Sequence, residues 1–268
     1  GTATLSGSNV ITTLTNNSTG VMTLGASDAF TTLNNAGTLN MGAYVHTATA
    51  FNSTGGSTLG GTLKAASFNL TNGTITSVLA DPAAGTGSVA ITGGGVALTG
   101  INTYTGGTSL QSGTTYVGNN SALGTGLVTI WNGAALGTND GTTRTLANDF
   151  QLKSGVTTFT LGNGSSGPLV LNGTLDLNGG AVTLTRYNTT NLVGVVSNGS
   201  LLINGNGLLQ LSGDNTFNGL QVDDGTVRIT ASERLKDTGS LYIGSNGSFD
   251  LAGKTETVGA FTLAASAY

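Results

Sequence analysis

Residues 20–42 read GVMTLGASDAFTTLNNAGTLNMG, and the two glycine-bounded segments at the ends of this stretch decide the fold class. Residues 20–25 (GVMTLG) and 37–42 (GTLNMG) each place apolar and polar side chains alternately after a turn residue. Alternation with a period of two is typical of a strand with one buried face, whereas helical patterns repeat every 3.6 residues. Similar segments recur as far as residues 247–251 (GSFDL), so the sequence predicts an all-β protein of short strands.

The turn glycines also repeat at a longer interval. One set, at nearly even spacing, is Gly20, Gly37, Gly56 and Gly73, and a second set, at even and wider spacing, is Gly173, Gly199 and Gly225. Repeats of about 17 to 26 residues, built from short strands and turns, are typical of stacked coils whose equivalent strands pair. We therefore predict a right-handed parallel β-helix (a β-solenoid) that forms a single elongated domain over residues 1–268. The alternative is a β-sandwich or an antiparallel barrel, which also contains many short strands.

Composition and charge restrict the partners of the chain. Of its 268 residues 45 are Gly, only 7% are charged, and the formal net charge is -4. A net negative charge does not attract the phosphate backbone of a nucleic acid, so we expect no nucleic-acid partner. The absence of cysteine excludes disulfides and thiolate metal sites. A membrane-spanning helix needs an apolar run of about 18 residues or more, and no run in this sequence is that long.

Two stretches of the chain, at about residues 96–137 and 209–251, resemble each other. Residues 100–107 read GINTYTGG and residues 213–219 read GDNTFNG, so both contain an Asn-Thr-aromatic triplet between glycines. Further on, both stretches carry Gly-Thr, then Leu123 or Leu235, and then a short strand pattern. Together they resemble the passenger-associated transport repeat of Gram-negative autotransporters. The second copy departs from that repeat by a deletion after Phe217 and by the charged residues 232–237.

This resemblance implies a β-helical passenger that is exported through the periplasm and an outer-membrane translocator barrel of the same precursor. The barrel would follow Tyr268 and is not part of this chain. On this basis we expect a location at the bacterial cell surface or in the medium, and a non-enzymatic role as an adhesin or scaffold stalk. A secreted effector that binds a host cell-surface protein or glycan is the alternative. Since the end coils of a β-helix leave open strand edges, self-association of the segment is also expected.

Catalytic roles have little support in the sequence. Because His46 is the only histidine, every Ser-His-Asp site would have to include it, and we expect a solvated or loop histidine instead. A glycan-cleaving site, such as that of a polysaccharide lyase or glycosidase, would need clustered carboxylates. The carboxylates available are those of Asp176, Asp214, Asp223, Asp224 and Asp250. Adjacent Asp residues in a strand point to opposite faces, so Asp223 and Asp224 cannot both serve one site, and turn or surface roles are predicted. We predict no enzyme activity, no metal site and no cofactor.

The remaining candidates are binding residues. They are the charged residues Asp223, Asp224, Arg228, Arg234 and Lys236, together with the single tryptophan, Trp131. The charged group offers a face for a receptor, although we expect its basic members to make exposed ion pairs. Trp131 is expected either to contact a partner or to cap an inward-facing stack at a coil corner. The equivalent repeat positions of Tyr104 and Phe217 favour a structural role for both.

Overall fold

The computed structural model describes residues 1–163 and 166–264. The chain divides into two compact units, Gly1–Val128 and Thr129–Tyr268, here called the N-terminal and the C-terminal unit. All the regular structure in the described part of the chain is β-strand. No helix that could cross a bilayer occurs among these residues.

The strands are short, and most are no longer than seven residues. The first fourteen are β1 (Thr2–Leu5), β2 (Val10–Asn16), β3 (Val21–Leu24), β4 (Ala29–Asn35), β5 (Thr38–Asn40), β6 (Val45–Ser53), β7 (Ser57–Leu59), β8 (Thr62–Leu70), β9 (Gly73–Ile75), β10 (Val78–Ala80), β11 (Ser88–Ile91), β12 (Gly95–Leu98), β13 (Thr108–Leu110) and β14 (Thr114–Val117). The others are β15 (Val128–Ile130), β16 (Ala135–Thr138), β17 (Arg144–Leu146), β18 (Phe150–Leu152), β19 (Thr158–Leu161), β20 (Leu169–Leu171), β21 (Leu175–Asp176), β22 (Ala181–Arg186), β23 (Thr190–Leu192), β24 (Val196–Ser197), β25 (Ser200–Asn204), β26 (Leu208–Leu211), β27 (Gly219–Ile229), β28 (Ser240–Asp250) and β29 (Ala260–Leu263).

Within each unit the strands pair in parallel, each with its equivalents one coil earlier and one coil later. In the N-terminal unit one row of partners is Val21, Thr38, Ser57, Thr74 and Ala97. In the C-terminal unit a corresponding row is Thr158, Thr183, Leu202, Gln221 and Tyr242. Parallel pairing across such intervals makes each unit a parallel β-solenoid. The predicted parallel β-helix is therefore confirmed, and the antiparallel alternatives are wrong.

The coil length varies while the strands stay in register. The first four members of the N-terminal row each directly follow a glycine of the first set, so the steps between them equal the predicted glycine spacing. The next step, from Thr74 to Ala97, is longer. In the C-terminal row the longest step is the first, from Thr158 to Thr183. All of these steps lie within the predicted range of coil lengths.

The second glycine set does not mark equivalent positions on successive coils, so the prediction that its spacing equals the coil length is wrong. Gly173, Gly199 and Gly225 do not lie on one another but at three different corners of the solenoid. The first lies beneath Gly194, the second on Gly180 and the third on Gly205, each against the backbone. For each glycine of this set, the residue that stacks against it is nearer in sequence than the next glycine of the set. The spacing between these glycines is therefore longer than one coil.

Alternation explains why these segments form the walls of a solenoid. In β4, β6 and β8 the register places Leu33, Phe51 and Phe68 in one inward column, and each is fully buried. Burying one such side chain stabilises the fold by about 1.5–3 kcal/mol, so every coil adds a similar increment. At the corners, Gly56 has φ of 65°, and a Cβ there would collide with the backbone of Gly37. Glycine is required at this corner because both the backbone angle and the close approach exclude a side chain.

Candidate functional site

The first copy of the repeat places Asn102 between two neighbouring coils. Its Oδ1 accepts a hydrogen bond from the backbone N–H of Leu79 at 2.9 Å, and its Nδ2 donates to the carbonyl of Ala122 at 2.7 Å. Tyr104, two residues later, is fully buried, and its hydroxyl lies 2.6 Å from Oγ1 of Thr108. Burial raises the pKa of Tyr104 well above its usual value. Each of these polar groups is bound within its own coil or to a neighbouring coil, so this part of the repeat builds the solenoid.

The second copy repeats this arrangement. Oδ1 of Asn215 accepts the N–H of Val196 at 2.8 Å, and its Nδ2 donates to the carbonyl of Arg234 at 2.9 Å. Asn215 is buried, as Asn102 is in the first copy. Phe217 is also buried, in the position that Tyr104 occupies in the first copy. The structural role predicted for Tyr104 and Phe217 is confirmed.

The charged candidate residues are bound to neighbouring groups rather than free. Nε of Arg228 donates to Oδ2 of Asp250 at 2.7 Å, and the two side chains are 42% and 36% exposed. Nζ of Lys236 donates to Oδ1 of Asn218 at 3.1 Å. Surface pairs of this kind stabilise a protein little, by about 0–1 kcal/mol.

Arg234 makes a wider set of contacts. Its guanidinium pairs with Asp214 and donates from Nε to the carbonyl of Ser232 at 3.0 Å. Its own backbone N–H and that of Leu235 donate to Glu256 at 2.8 and 3.0 Å. Nη1 also donates to the carbonyl of Ser212 at 3.3 Å, so this residue connects successive coils at their corner.

Asp223 and Asp224 have separate environments. Both oxygens of Asp223 accept hydrogen bonds from Nε2 of Gln221, at 2.9 and 3.1 Å. The charge of Asp224 instead acts on Arg186. The β27–β28 register shifts between Val222 and Asp224, so the regular alternation of the strand is interrupted at these two residues.

Arg186 is a buried charged residue that the sequence-based predictions missed. Its side chain is fully buried, Nη1 donates to the carbonyl of Gly205 at 3.0 Å, and Nη2 donates to that of Thr226 at 2.8 Å. Nε makes no hydrogen bond within the described part of the chain. Burial lowers the pKa of Arg186 to about 10, although the charge of Asp224 opposes this shift. The sequence did indicate this burial. Every second residue of β22 points into the solenoid, and Arg186 follows Val182 and Leu184 in that alternation.

His46 is neither a solvated nor a loop histidine, so that expectation is wrong. It lies inside β6 and is fully buried. Nδ1 lies 3.2 Å from the backbone N–H of Asp28, and Nε2 lies 3.1 Å from the carbonyl of Met41. Nδ1 is also 3.6 Å from Oδ2 of Asp28. Both ring nitrogens thus face coil-forming groups rather than a serine nucleophile.

The carboxylates considered for glycan cleavage are bound locally. Burial raises the pKa of Asp176, but hydrogen bonds from Asn178, Gln151 and Asn198 outweigh this effect and hold it below its usual value. The N–H of Ala252 and the Arg228 guanidinium lower the pKa of Asp250. Among the residues that the structure describes, no three His, Cys, Asp or Glu side chains converge on a possible metal position.

Trp131 follows β15 and remains 39% exposed. Nζ of Lys153 lies 5.5 Å from the centre of its ring, within the range of a cation–π interaction. Both alternatives for Trp131, contact with a partner and capping of a stack at a coil corner, stay predictions. Its ring lies at the surface, where it can contact a partner.

The last coil of the C-terminal unit contains an apolar concavity of about 430 Å³. Phe261 and Leu263, which contribute to its lining, are 61% and 66% exposed. These side chains continue the inward columns of β28, to which β29 pairs. The two inward columns therefore end in exposed side chains at the last described strand, while self-association stays a prediction.

No family model, no curated protein and no solved structure matches this chain.

Proposed function

We propose that this chain is a non-enzymatic passenger segment of an autotransporter, displayed at the bacterial surface or released from it, where it acts as an adhesin or scaffold stalk. The observation that supports this most is the equivalent placement of Asn102 and Asn215 in the two repeat copies. The motif that carries the resemblance builds the coil in both places. A coil-building repeat suits a protein whose folding advances coil by coil as it leaves the outer-membrane barrel of its own precursor.

The character of the surface supports the same proposal. In the N-terminal unit the amides of Asn34, Asn52 and Asn69 form a ladder along the outer face, at 2.8 and 2.9 Å. Charges are sparse there, since residues 1–139 contain only Asp28, Lys64 and Asp81. A neutral surface rich in hydroxyls and amides suits weak, multivalent adhesion.

The other two candidates have less support. A receptor-binding effector would use the charged group from Asp223 to Lys236, whose members are held by neighbours on their own or adjacent coils. A glycan-cleaving enzyme would need a convergent pair of carboxylates, whereas Asp176 and Asp250 each serve a separate local network. Neither candidate is supported by an observation of its own.

Export can be tested by placing residues 1–268 between a secretion signal and an autotransporter barrel in a laboratory bacterium. We expect antibody labelling of intact cells to detect the chain at the surface. A variant with both Asn102→Ala and Asn215→Ala should reach the surface several-fold less, because two coil bridges are lost. Asn69→Ala, which removes an exposed amide and its hydrogen bond to Asn52 but no buried bridge between coils, is the matched control. Retention of the unmodified chain in the periplasm would refute the export part of the proposal.

Adhesion is tested separately, by equilibrium binding of the labelled, purified chain to cultured animal cells, with unlabelled chain as competitor. Saturable and competable binding supports the adhesin role. Binding at background level contradicts that role and assigns the segment to the stalk. Loss of binding when Arg228, Arg234 and Lys236 are neutralised together would favour the effector candidate instead.

A further inference from the structure

A shallow groove of about 250 Å³ crosses the outer face of β22, β25, β27 and β28 in the C-terminal unit. Ser200, Gly219 and Ser240 occupy successive register positions and form its floor. The larger side chains of Leu202, Gln221 and Tyr242 lie two residues further along the same strands and line one side. The groove therefore runs across the strands, from coil to coil.

The depth of the groove depends on Gly219. A Cβ at this position would come within 2.7 Å of Oγ of Ser240 and 3.5 Å of Oγ of Ser200. The missing side chain leaves the two hydroxyls at the floor. Ser240 is exposed and Ser200 is half-buried, so solvent reaches both positions.

The groove lies on a face of the sheet and not at its edge. The first half of β27 pairs with β25 on one side and with β28 on the other, so its backbone groups are already engaged. A peptide that binds by adding a strand to the sheet needs an unpaired strand edge, and the strands at this face have both edges paired. A ligand here would have to bind through side chains.

The side chains of the groove offer hydroxyls, an amide and an aromatic ring. Nε2 of Gln221 donates to both oxygens of Asp223, which fixes the amide and leaves Oε1 as an acceptor. Tyr242 contributes a half-buried phenol ring and its hydroxyl. None of the described side chains that line the groove carries a charge. This favours an uncharged, hydroxyl-rich ligand over an acidic or basic one.

We propose that this groove binds a neutral oligosaccharide that extends from coil to coil, with a sugar ring packed on Tyr242 and hydroxyls bound by Ser200, Gln221 and Ser240. Neighbouring coils lie about 4.8 Å apart, so Ser200 and Ser240, two coils apart, place hydroxyls along the groove, which suits an extended chain of sugar units. The inference rests on the proposed function, because it names the ligand class of an adhesin.

The test is isothermal titration of the purified chain with neutral linear hexasaccharides of glucose, galactose and mannose in α and β linkages. We expect at least one to bind, with an affinity that is unchanged between low and high salt. Tyr242→Ala removes the stacking ring, and Ser240→Trp fills the floor. Each should weaken binding at least tenfold. Tyr187→Ala removes a 49% exposed ring outside the groove and is the matched control.

Circular dichroism spectra that match the unmodified chain establish that the variants are folded. The proposal is overturned if no neutral hexasaccharide binds, or if binding survives both groove substitutions. It is equally overturned if only a heparin hexasaccharide or a peptide binds. Cell adhesion that persists in Tyr242→Ala and Ser240→Trp would reject the groove and leave the proposed function standing. Absence of any cell binding by the unmodified chain would reject the adhesin role itself.

Discussion

Nη2 of Arg186 donates a hydrogen bond to the carbonyl of Thr226, 40 residues further along the chain, at 2.8 Å. Nη1 of the same guanidinium binds the carbonyl of Gly205, which lies between these two positions in sequence. One buried cation thus connects three successive coils of the C-terminal unit. The opposing charge that acts on it is that of Asp224, on the same coil as Thr226.

Replacing this cation should destabilise the C-terminal unit. We expect Arg186→Ala to lower the free energy of unfolding by about 3–5 kcal/mol, because it leaves a cavity, two unpaired carbonyls and an uncompensated Asp224. Urea unfolding followed by circular dichroism measures this change. Lys254→Ala, at an exposed position, is the control and should stay within about 0.5 kcal/mol of the unmodified chain. An equally small effect of Arg186→Ala would contradict the coil-connecting role.

The repeat asparagines should contribute similarly in both copies. Asn102→Ala leaves the N–H of Leu79 and the carbonyl of Ala122 without partners, so we expect a loss of about 1–3 kcal/mol. Asn215→Ala should cost a comparable amount. Thermal unfolding of both variants, with Asn69→Ala as an exposed control, checks the prediction. Unequal losses in the two copies would argue against a shared structural role.

Asp81 should make the stability of the N-terminal unit decrease at acidic pH. Burial raises its pKa, but hydrogen bonds from the N–H of Gly87 and from Thr105 outweigh this, so the pKa lies below the ordinary value. Its contribution is therefore present above the ordinary pKa of aspartate and is lost as the pH falls through the lowered value. We expect Asp81→Ala to destabilise at pH 7, and its difference from the unmodified chain to shrink in strong acid. A difference that stays constant with pH would show that the charge of Asp81 is not involved.

Glu256 should have the opposite pH dependence. Burial, together with Glu233 and Asp237, raises its pKa, while the N–H groups of Arg234 and Leu235 partly offset the shift. Because the folded state holds the proton more tightly, this residue favours folding below the ordinary pKa of glutamate, and that contribution is lost as the pH rises through the raised value. Glu256→Gln should flatten the fall in stability across this window. Unfolding midpoints measured from pH 4 to pH 7 test the change, and an unaltered slope would count against it.

The sequence predicted the strands and the coils well, because both follow from alternation and from the glycine corners. The row Val21, Thr38, Ser57 and Thr74 has the intervals of the preceding glycines. The wider glycine interval in the C-terminal unit failed because three different corners carry the same residue type, and composition alone does not tell one corner from another.

The buried polar residues were harder to predict. Arg186 and His46 have inward parity in β22 and β6, but no role was predicted for Arg186, and His46 was expected in solvent or in a loop. Their burial depends on carbonyl and N–H partners that neighbouring coils supply, at distances in sequence that a local pattern does not contain. The groove around Tyr242 was also invisible, because its floor comes from three different coils.

The unequal coils have a consequence for how such a chain can change over time. In the N-terminal unit, the short step from Ser57 to Thr74 is followed by the longer step from Thr74 to Ala97 without a break in strand pairing. The additional residues lie between strands, where the chain turns, including the stretch from Ala80 to Ser88. Insertions and deletions at these turns leave the paired strands of the neighbouring coils unaltered. The pairing of the strands thus stays constant while the length of the turns varies. Surface loops can therefore be gained or lost during evolution without a change in the rest of the fold.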